Sequence, residues 1–203
     1  MIAWSIEAAL QSGCFDQVLV STDSQEIAGC AQNYGAIVPF IRPADLSGDH
    51  TTTIPVIQHA IRFLQQQGLP VQHACCLYAT APFVRADDLQ RALDKLETTE
   101  VDYVFSATTF PFPIQRAIRL NQEGCVSMFY PEHALTRSQD LEEAFHDAGQ
   151  FYWGKASAWL NGQPIFGPTS RLHLLPRFRV QDIDTPEDWS RAEFMFRALG
   201  NEQ

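Results

Sequence analysis

Short apolar runs set between helix-period segments constrain this chain most. The clearest run is "HACCLYA" (73–79), continuous in the way expected of a strand buried on both faces. Helical patterns flank it. Upstream, "TIPVIQHAIRFLQQQ" (53–67) carries Pro55 in its first turn and stops at Gly68. Downstream, "ADDLQRALDKLETT" (86–99) is amphipathic, with acids at its start that suit the helix dipole. The rhythm extends both ways. "IAWSIEAALQS" (2–12) predicts a helix closed by Gly13, and "QVLVST" (17–22) a strand. Asp23, three residues before Glu26, gives an N-cap pattern for "SQEIAGCAQNY", ended by Gly35. "AIVPFI" (36–41) and "DYVFSAT" (102–108) complete the strands of the first half. This alternation predicts an α/β fold, a Rossmann-like, mainly parallel sheet with helices on both faces.

After residue 109 the pattern changes. "QRAIRL" and "CVSMFY", joined by "NQEG", read as a hairpin. Residues 131–149 are polar and partly helical. "QFYWGKASAWLNG" reads as a strand and a short helix, "RFRVQDI" (177–183) as a strand, and "TPEDWSRAEFMFRAL" as the last helix. We expect a single domain, 1–203, with 110–150 an excursion that serves as a lid or a dimer arm.

Composition narrows the function. With 203 residues, 45% of them hydrophobic, the chain can build one sizeable core. No run approaches the roughly 20 apolar residues of a membrane span. "MIAWSIEAALQSG" has no basic start and carries Glu7, so it reads as helix rather than signal peptide. A net charge of −10 argues against nucleic acid or anionic membrane as partner, though a few focused arginines can still hold a phosphate. Five cysteines without a C-x-x-C suggest reduced core thiols in a cytoplasmic protein. No Walker A, G-x-S-x-G or G-x-G-x-x-G motif is present, and the six histidines show no ligand spacing.

Ligands of open parallel sheets bind beyond the C-terminal ends of the strands. There the chain reads "STDS", "RPADLSGDHTTT", "YATAPFVR", "SATTF" and "QDIDTP". If 178–183 is a strand, Asp182 and Asp184 project from one face and form an oxygen-only pair suited to Mg²⁺. Thr185, Pro186 and Asp188 also make a helix start, and Asp184 would then only favour its dipole. Spacing alone favours the helix-start reading. Asp23 either caps a helix or faces the site. Arg42 is a phosphate clamp or a solvated surface residue. "DHTTT" offers hydroxyls and amides at a helix N-terminus, for an anion or for capping.

Taken in order, "MIAWSIEAAL", "VLVSTDSQEIA…YGAIVPFIRPADLSGDHTTT", "CCLYATAPFVRADDL", "RSQDLEEAFHDAGQFYWG" and "DIDTPEDW" resemble the acylneuraminate cytidylyltransferases along nearly the whole chain. The resemblance implies a nucleotide-diphospho-sugar transferase type of fold and a homodimer with a small dimerisation excursion. It also implies CMP transfer from CTP to a nine-carbon (nonulosonic) sugar acid, with Mg²⁺ and pyrophosphate release, for surface glycan synthesis. The family's metal-binding D-x-D falls on Asp182 and Asp184, which would be the catalytic residues. Nucleotide contacts fall on Arg42, Thr51, Thr52 and Thr80, and Asp23, by its position after the first strand, is counted with them. Sugar-acid contacts fall on Tyr78, Arg137, Gln139, Asp140, Tyr152 and Phe166. Tyr78, Ala81 and Val84 stand where the sialic-acid branch has Gln, Ser and Arg, which points to the pseudaminic branch. Family members begin with a strand and a basic loop of the type "ARGGSKRIPRKN" around the triphosphate. This chain starts just after it, and a mis-assigned start is the expectation. The rival readings are an inactive nucleotide-sugar-binding or dimerisation module and a D-x-D glycosyltransferase, the latter disfavoured by acids so near the C-terminus.

Overall fold

A computed structural model describes residues 1–200. Its centre is a four-stranded sheet in the order β1–β5–β2–β6, with β1 His73–Leu77, β2 Tyr103–Thr109, β5 Phe145–Lys155 and β6 Ser170–Leu174. β5 runs antiparallel to both its neighbours, and only β2 and β6 pair in parallel. The sheet is therefore mixed, which corrects the mainly parallel expectation. The physical reason lies in the connection. The chain leaves β2 at Thr109 and returns beside it at Phe145, without a crossover helix, so β5 must run back along β2. β1 and β2, joined through α4 (Ala86–Thr98), do share a direction, but β5 lies between them.

Three of the anticipated strands differ. "QVLVST" and "AIVPFI" meet only in one parallel bridge, Leu19 to Ile37, with hydrogen bonds from Ile37 N to Val18 O (2.8 Å) and from Val20 N to Ile37 O (2.9 Å). "RFRVQDI" is not a strand: Arg177–Arg179 form a 3-10 turn and residues 180–184 are irregular. The sheet strand comes earlier, at β6; its last ladder bond runs from Leu175 N to Ala107 O, and the next residue that would donate toward β2, Arg177, is already in the 3-10 turn.

Alternation along the strands sorts the core into two layers. Cys75, Val104, Phe151 and Trp153 face α1 (Ile2–Ser12) and α4, packing with Ala8, Leu89, Ala92 and Leu96. Cys76, Tyr103, Phe105 and Tyr152 face α3 (Thr53–Gln66) and α5 (Ala156–Leu160), packing with Ile61, Ala158 and Trp159. Helices thus cover both faces. β1 is an edge strand, and of its residues Cys76 alone is buried, short of the burial its apolar run suggested. The thiols correct a second expectation: Cys14 and Cys75 are half-buried beside the core, but Cys30 and Cys125 are exposed.

Helix ends refine the local reading. Ser24, not Asp23, caps α2 (Gln25–Asn33) by accepting from Ile27 N at 3.3 Å. α6 (Pro186–Gly200) starts with the reciprocal box expected of Thr185 and Asp188: Asp188 N donates to Thr185 Oγ1 at 3.2 Å, and Thr185 N donates to Asp188 Oδ2 at 3.0 Å. Residues 110–144 stand outside the main sheet. They carry the hairpin β3 (Ile118–Leu120) with β4 (Val126–Met128) and short 3-10 turns, while 145–150 already belong to β5.

Candidate active site

A cleft of about 570 Å³ opens between the N-terminal layer and the free edge of β1. Arg42, Thr51, Thr52 and Tyr78 line it, with Thr22 and Thr53 beside them. The backbone brings these together. Arg42 N donates to Thr22 O at 2.8 Å, setting the arginine beside the end of the Val18–Val20 segment, and Nε donates to Ser47 Oγ at 3.3 Å. Asp23 joins through an ion pair to Arg42 at 3.5 Å, in place of the capping role its position suggested. Thr52 is the N-cap residue of α3 but makes no side-chain cap bond, so the first amides of α3 keep their capacity for an anion. Thr53 Oγ1 lies 3.2 Å from Tyr78 Oη, tying the helix start to the end of β1. Thr80 is exposed in the turn that follows.

From Tyr78 an aromatic path leads across the sheet. Its ring is 5.3 Å from that of Tyr152, which neighbours Phe105 at 6.1 Å, and Phe105 meets Phe166 edge-on at 5.1 Å. Phe166 is otherwise largely exposed. The hydroxyl of Tyr152 donates to Asp147 Oδ2. Burial, then the adjacent Asp147 carboxylate, pushes the Tyr152 phenol far above its ordinary value, so it stays a donor.

A bulge in β5 makes that contact possible. Phe105 pairs with Tyr152 but Ala107 with Asp147, so β5 carries extra residues there, and Gly149 takes φ +61°. Ser106 satisfies the displaced backbone, its Oγ accepting from Phe151 N at 3.0 Å and Gln150 N at 3.3 Å. Asp147 Oδ1 accepts from Gly149 N at 3.0 Å. Asp147, Gly149 and Ser106 were not singled out from the sequence. The one local signal was the Asp-x-Gly spacing within "HDAGQF", which suits a side-chain-closed turn.

Asp182 and Asp184 do not line the cleft. They lie in irregular chain, so the strand alternation that was to align them is absent. Asp182 instead sits against the bulge: its Oδ1 is 3.8 Å from where a Cβ on Gly149 would stand, and it accepts from Ile183 N at 3.1 Å. Both carboxylates are exposed, and among the described residues neither pairs with an arginine or lysine. Two uncompensated hard oxygen ligands fit Mg²⁺, which takes one or two protein carboxylates and completes its shell from phosphate and water. No group of three His, Cys, Asp or Glu converges for a metal among the described residues.

Arg137, Gln139 and Asp140 stand apart on an exposed 3-10 turn of the excursion. Arg137 is held by Asp140 in a two-pronged pair, Nε at 2.8 Å and Nη2 at 3.1 Å. None of the three lines the cleft.

Comparison with known proteins gives this geometry a context. The pseudaminic acid cytidylyltransferase of Campylobacter jejuni serotype O:2 is 46% identical over 97% of this chain and 85% of that protein. The CMP-N,N'-diacetyllegionaminic acid synthase of Legionella pneumophila is 29% identical over 95% of this chain and 83% of its own length. The fold superposes on CMP:2-keto-3-deoxy-manno-octonic acid synthetase complexed with CTP, with a TM-score of 0.64 at 14% identity, over 97% of this chain and 88% of that one. A family model described as cytidylyltransferase matches residues 1–195. The chain belongs to the cytidylyltransferase family.

Proposed function

We propose that the protein transfers CMP from CTP to pseudaminic acid, or a nine-carbon sugar acid close to it, and releases pyrophosphate for use of the product in surface glycans. The observation that carries this reading is the cleft that unites Arg42, the N-terminal turn of α3 and Tyr78, in a chain 46% identical to a pseudaminic acid cytidylyltransferase. In the reaction a sugar hydroxyl oxygen bonds to the α-phosphorus. The bond from that phosphorus to the bridging oxygen breaks, pyrophosphate leaves with the electron pair, and the hydroxyl proton is released.

Each part of the site has a task in this scheme. Arg42, Thr51, Thr52 and the free amides of α3 hold phosphate oxygens, with Thr80 at the mouth and Asp23 steadying Arg42. Asp182 and Asp184 would hold Mg²⁺, and the ion would supply neutralisation of phosphate charge. Tyr78, Tyr152 and Phe166 wall the sugar side, and Asp147 fixes the direction of the Tyr152 hydroxyl. Holding the reactants in line supplies much of the rate in such transfers.

The sugar carboxylate would meet Arg137, with Gln139 and Asp140, only if this turn is brought to a cleft. A homodimer offers that route: Phe112, Ile118, Leu120, Val126 and Leu135 of the excursion are exposed apolar residues, the last 98% accessible. A stretch like this is suited to a second copy of the chain. We place the protein in the cytoplasm, where its exposed Cys30 and Cys125 thiols stay reduced. Among the described residues no helix is long and apolar enough to cross a membrane.

A substrate panel tests the reading. Pyrophosphate release should require CTP and be faster with pseudaminic acid than with N-acetylneuraminic acid. Equal rates for the two acids would remove the substrate assignment, and release with neither would remove the activity.

A further inference from the structure

After β6 the chain leaves the sheet, and one side chain holds it down. Between Leu175 and Ala192 the only buried residue is Arg179, 6% exposed. Its Nη1 donates to Asp88 Oδ2 at 2.6 Å. Asp88, in the first turn of α4 and 1% exposed, also accepts from His173 Nε2 on β6 at 3.0 Å and from Arg91 Nη2 at 2.9 Å. The main chain at Arg179 is fixed as well, because buried Gln150 donates from Nε2 to its carbonyl at 2.6 Å. Gln150 directly follows Gly149, the glycine against which Asp182 rests. On the far side, the Thr185–Asp188 box holds the start of α6, and Gln181 Nε2 bonds Asp188 Oδ1 at 3.0 Å.

A buried ion pair is a weak way to stabilise a fold, since apolar residues of the same volume often do as well or better. What it does supply is direction. Here it fixes the point from which the chain runs to Asp182 and Asp184. We propose that Arg179, locked by Asp88 and Gln150, is a positioning residue that sets the two carboxylates for metal binding. This rests on the reading of Asp182 and Asp184 as the Mg²⁺ ligands.

The test compares Arg179→Lys, Gln150→Met and Asp182→Asn with the unaltered protein. Mn²⁺ binding is read by electron paramagnetic resonance in the presence of CTP, alongside the melting temperature and the Mg²⁺ dependence of CMP transfer. Arg179→Lys keeps the charge but loses the planar guanidinium geometry. Gln150→Met keeps the side chain's length but removes the donor to the Arg179 carbonyl, together with a buried Oε1 that has no partner. Both should weaken Mn²⁺ binding by about 10-fold or more, the scale seen when groups supporting metal ligands are lost. The Mg²⁺ needed for half-maximal rate should rise in parallel, with the KM for CTP at saturating Mg²⁺ unchanged.

Wild-type Mn²⁺ affinity in both variants, whatever happens to melting, would overturn the proposal. If Arg179→Lys does not fold, Gln150→Met decides alone. Asp182→Asn separates the two claims. If it abolishes Mn²⁺ binding while the other variants bind normally, only the positioning role fails. If Asp182→Asn also binds normally, the ligand assignment fails and the positioning role with it.

Discussion

Asp88 shows how much can rest on one side chain. Burial alone would raise its carboxyl pKa, but hydrogen bonds from His173 and Arg179, and the Arg179 charge, hold it well below the usual carboxylate range. A folded value below the unfolded one means the group stabilises the fold above its unfolded pKa, about 3.9, and that this stability is lost as pH falls through the folded value. Acid titration of folding should therefore show a loss below about pH 4 that is shallower in Asp88→Asn. At neutral pH, Asp88→Ala leaves Arg179 buried and unpaired, and should cost about 3–5 kcal/mol in denaturant unfolding. Asp182→Asn and Asp184→Asn act differently. Both residues are exposed, so melting should barely move while kcat falls by about 100-fold or more. A full rate in either would remove that carboxylate from the site.

At the scale of elements, β5 organises both the core and the site. Its Gly154 lies under Trp159 and Tyr103: a Cβ there would stand 2.5 Å from Trp159 Nε1 and 2.6 Å from Tyr103 Cδ1. Gly154→Ala should cost about 1–3 kcal/mol by overpacking. Gly149→Ala meets ordinary contact distances but a left-handed backbone, and should cost about 1–2 kcal/mol. Because Asp147 and Asp182 flank it, Gly149→Ala should also slow CMP transfer, whereas Gly154→Ala should affect stability first. Steady-state kinetics beside thermal melts distinguish the two.

β5 also explains which parts of the fold could be read in the sequence. Helices α1 to α4 follow from local periodicity and Gly or Pro punctuation, and β1, β2 and the β3–β4 hairpin from short apolar runs. The insertion of β5 between β1 and β2 is a matter of long-range pairing that local pattern does not encode. "RFRVQDI" misled for a related reason. Its alternation of polar and apolar residues suits a strand, yet the residue it buries is the charged Arg179, whose partner Asp88 is 91 positions away. Asp182 and Asp184 were singled out for an alignment that the backbone does not adopt. Arg42, Thr51, Thr52 and Tyr78 line one cleft: Arg42 and Tyr78 directly follow strand-like segments, while Thr51 and Thr52 stand at the start of α3. Asp147 became visible only with the bulge.

The α/β core, covered by helices on both faces, carries an excursion rich in exposed apolar groups. If that excursion is the dimer contact, Phe112→Asp combined with Leu135→Asp should turn a dimer into a monomer in sedimentation velocity, leaving the melting of the core little changed. Unchanged sedimentation would move the contact elsewhere. The fate of the α-phosphate can be followed directly. With CTP labelled at that phosphorus, pseudaminic acid and Mg²⁺, label should pass into a CMP-sugar while pyrophosphate appears in equimolar amount. Label found only in free CMP or CDP, or left in CTP, would contradict it.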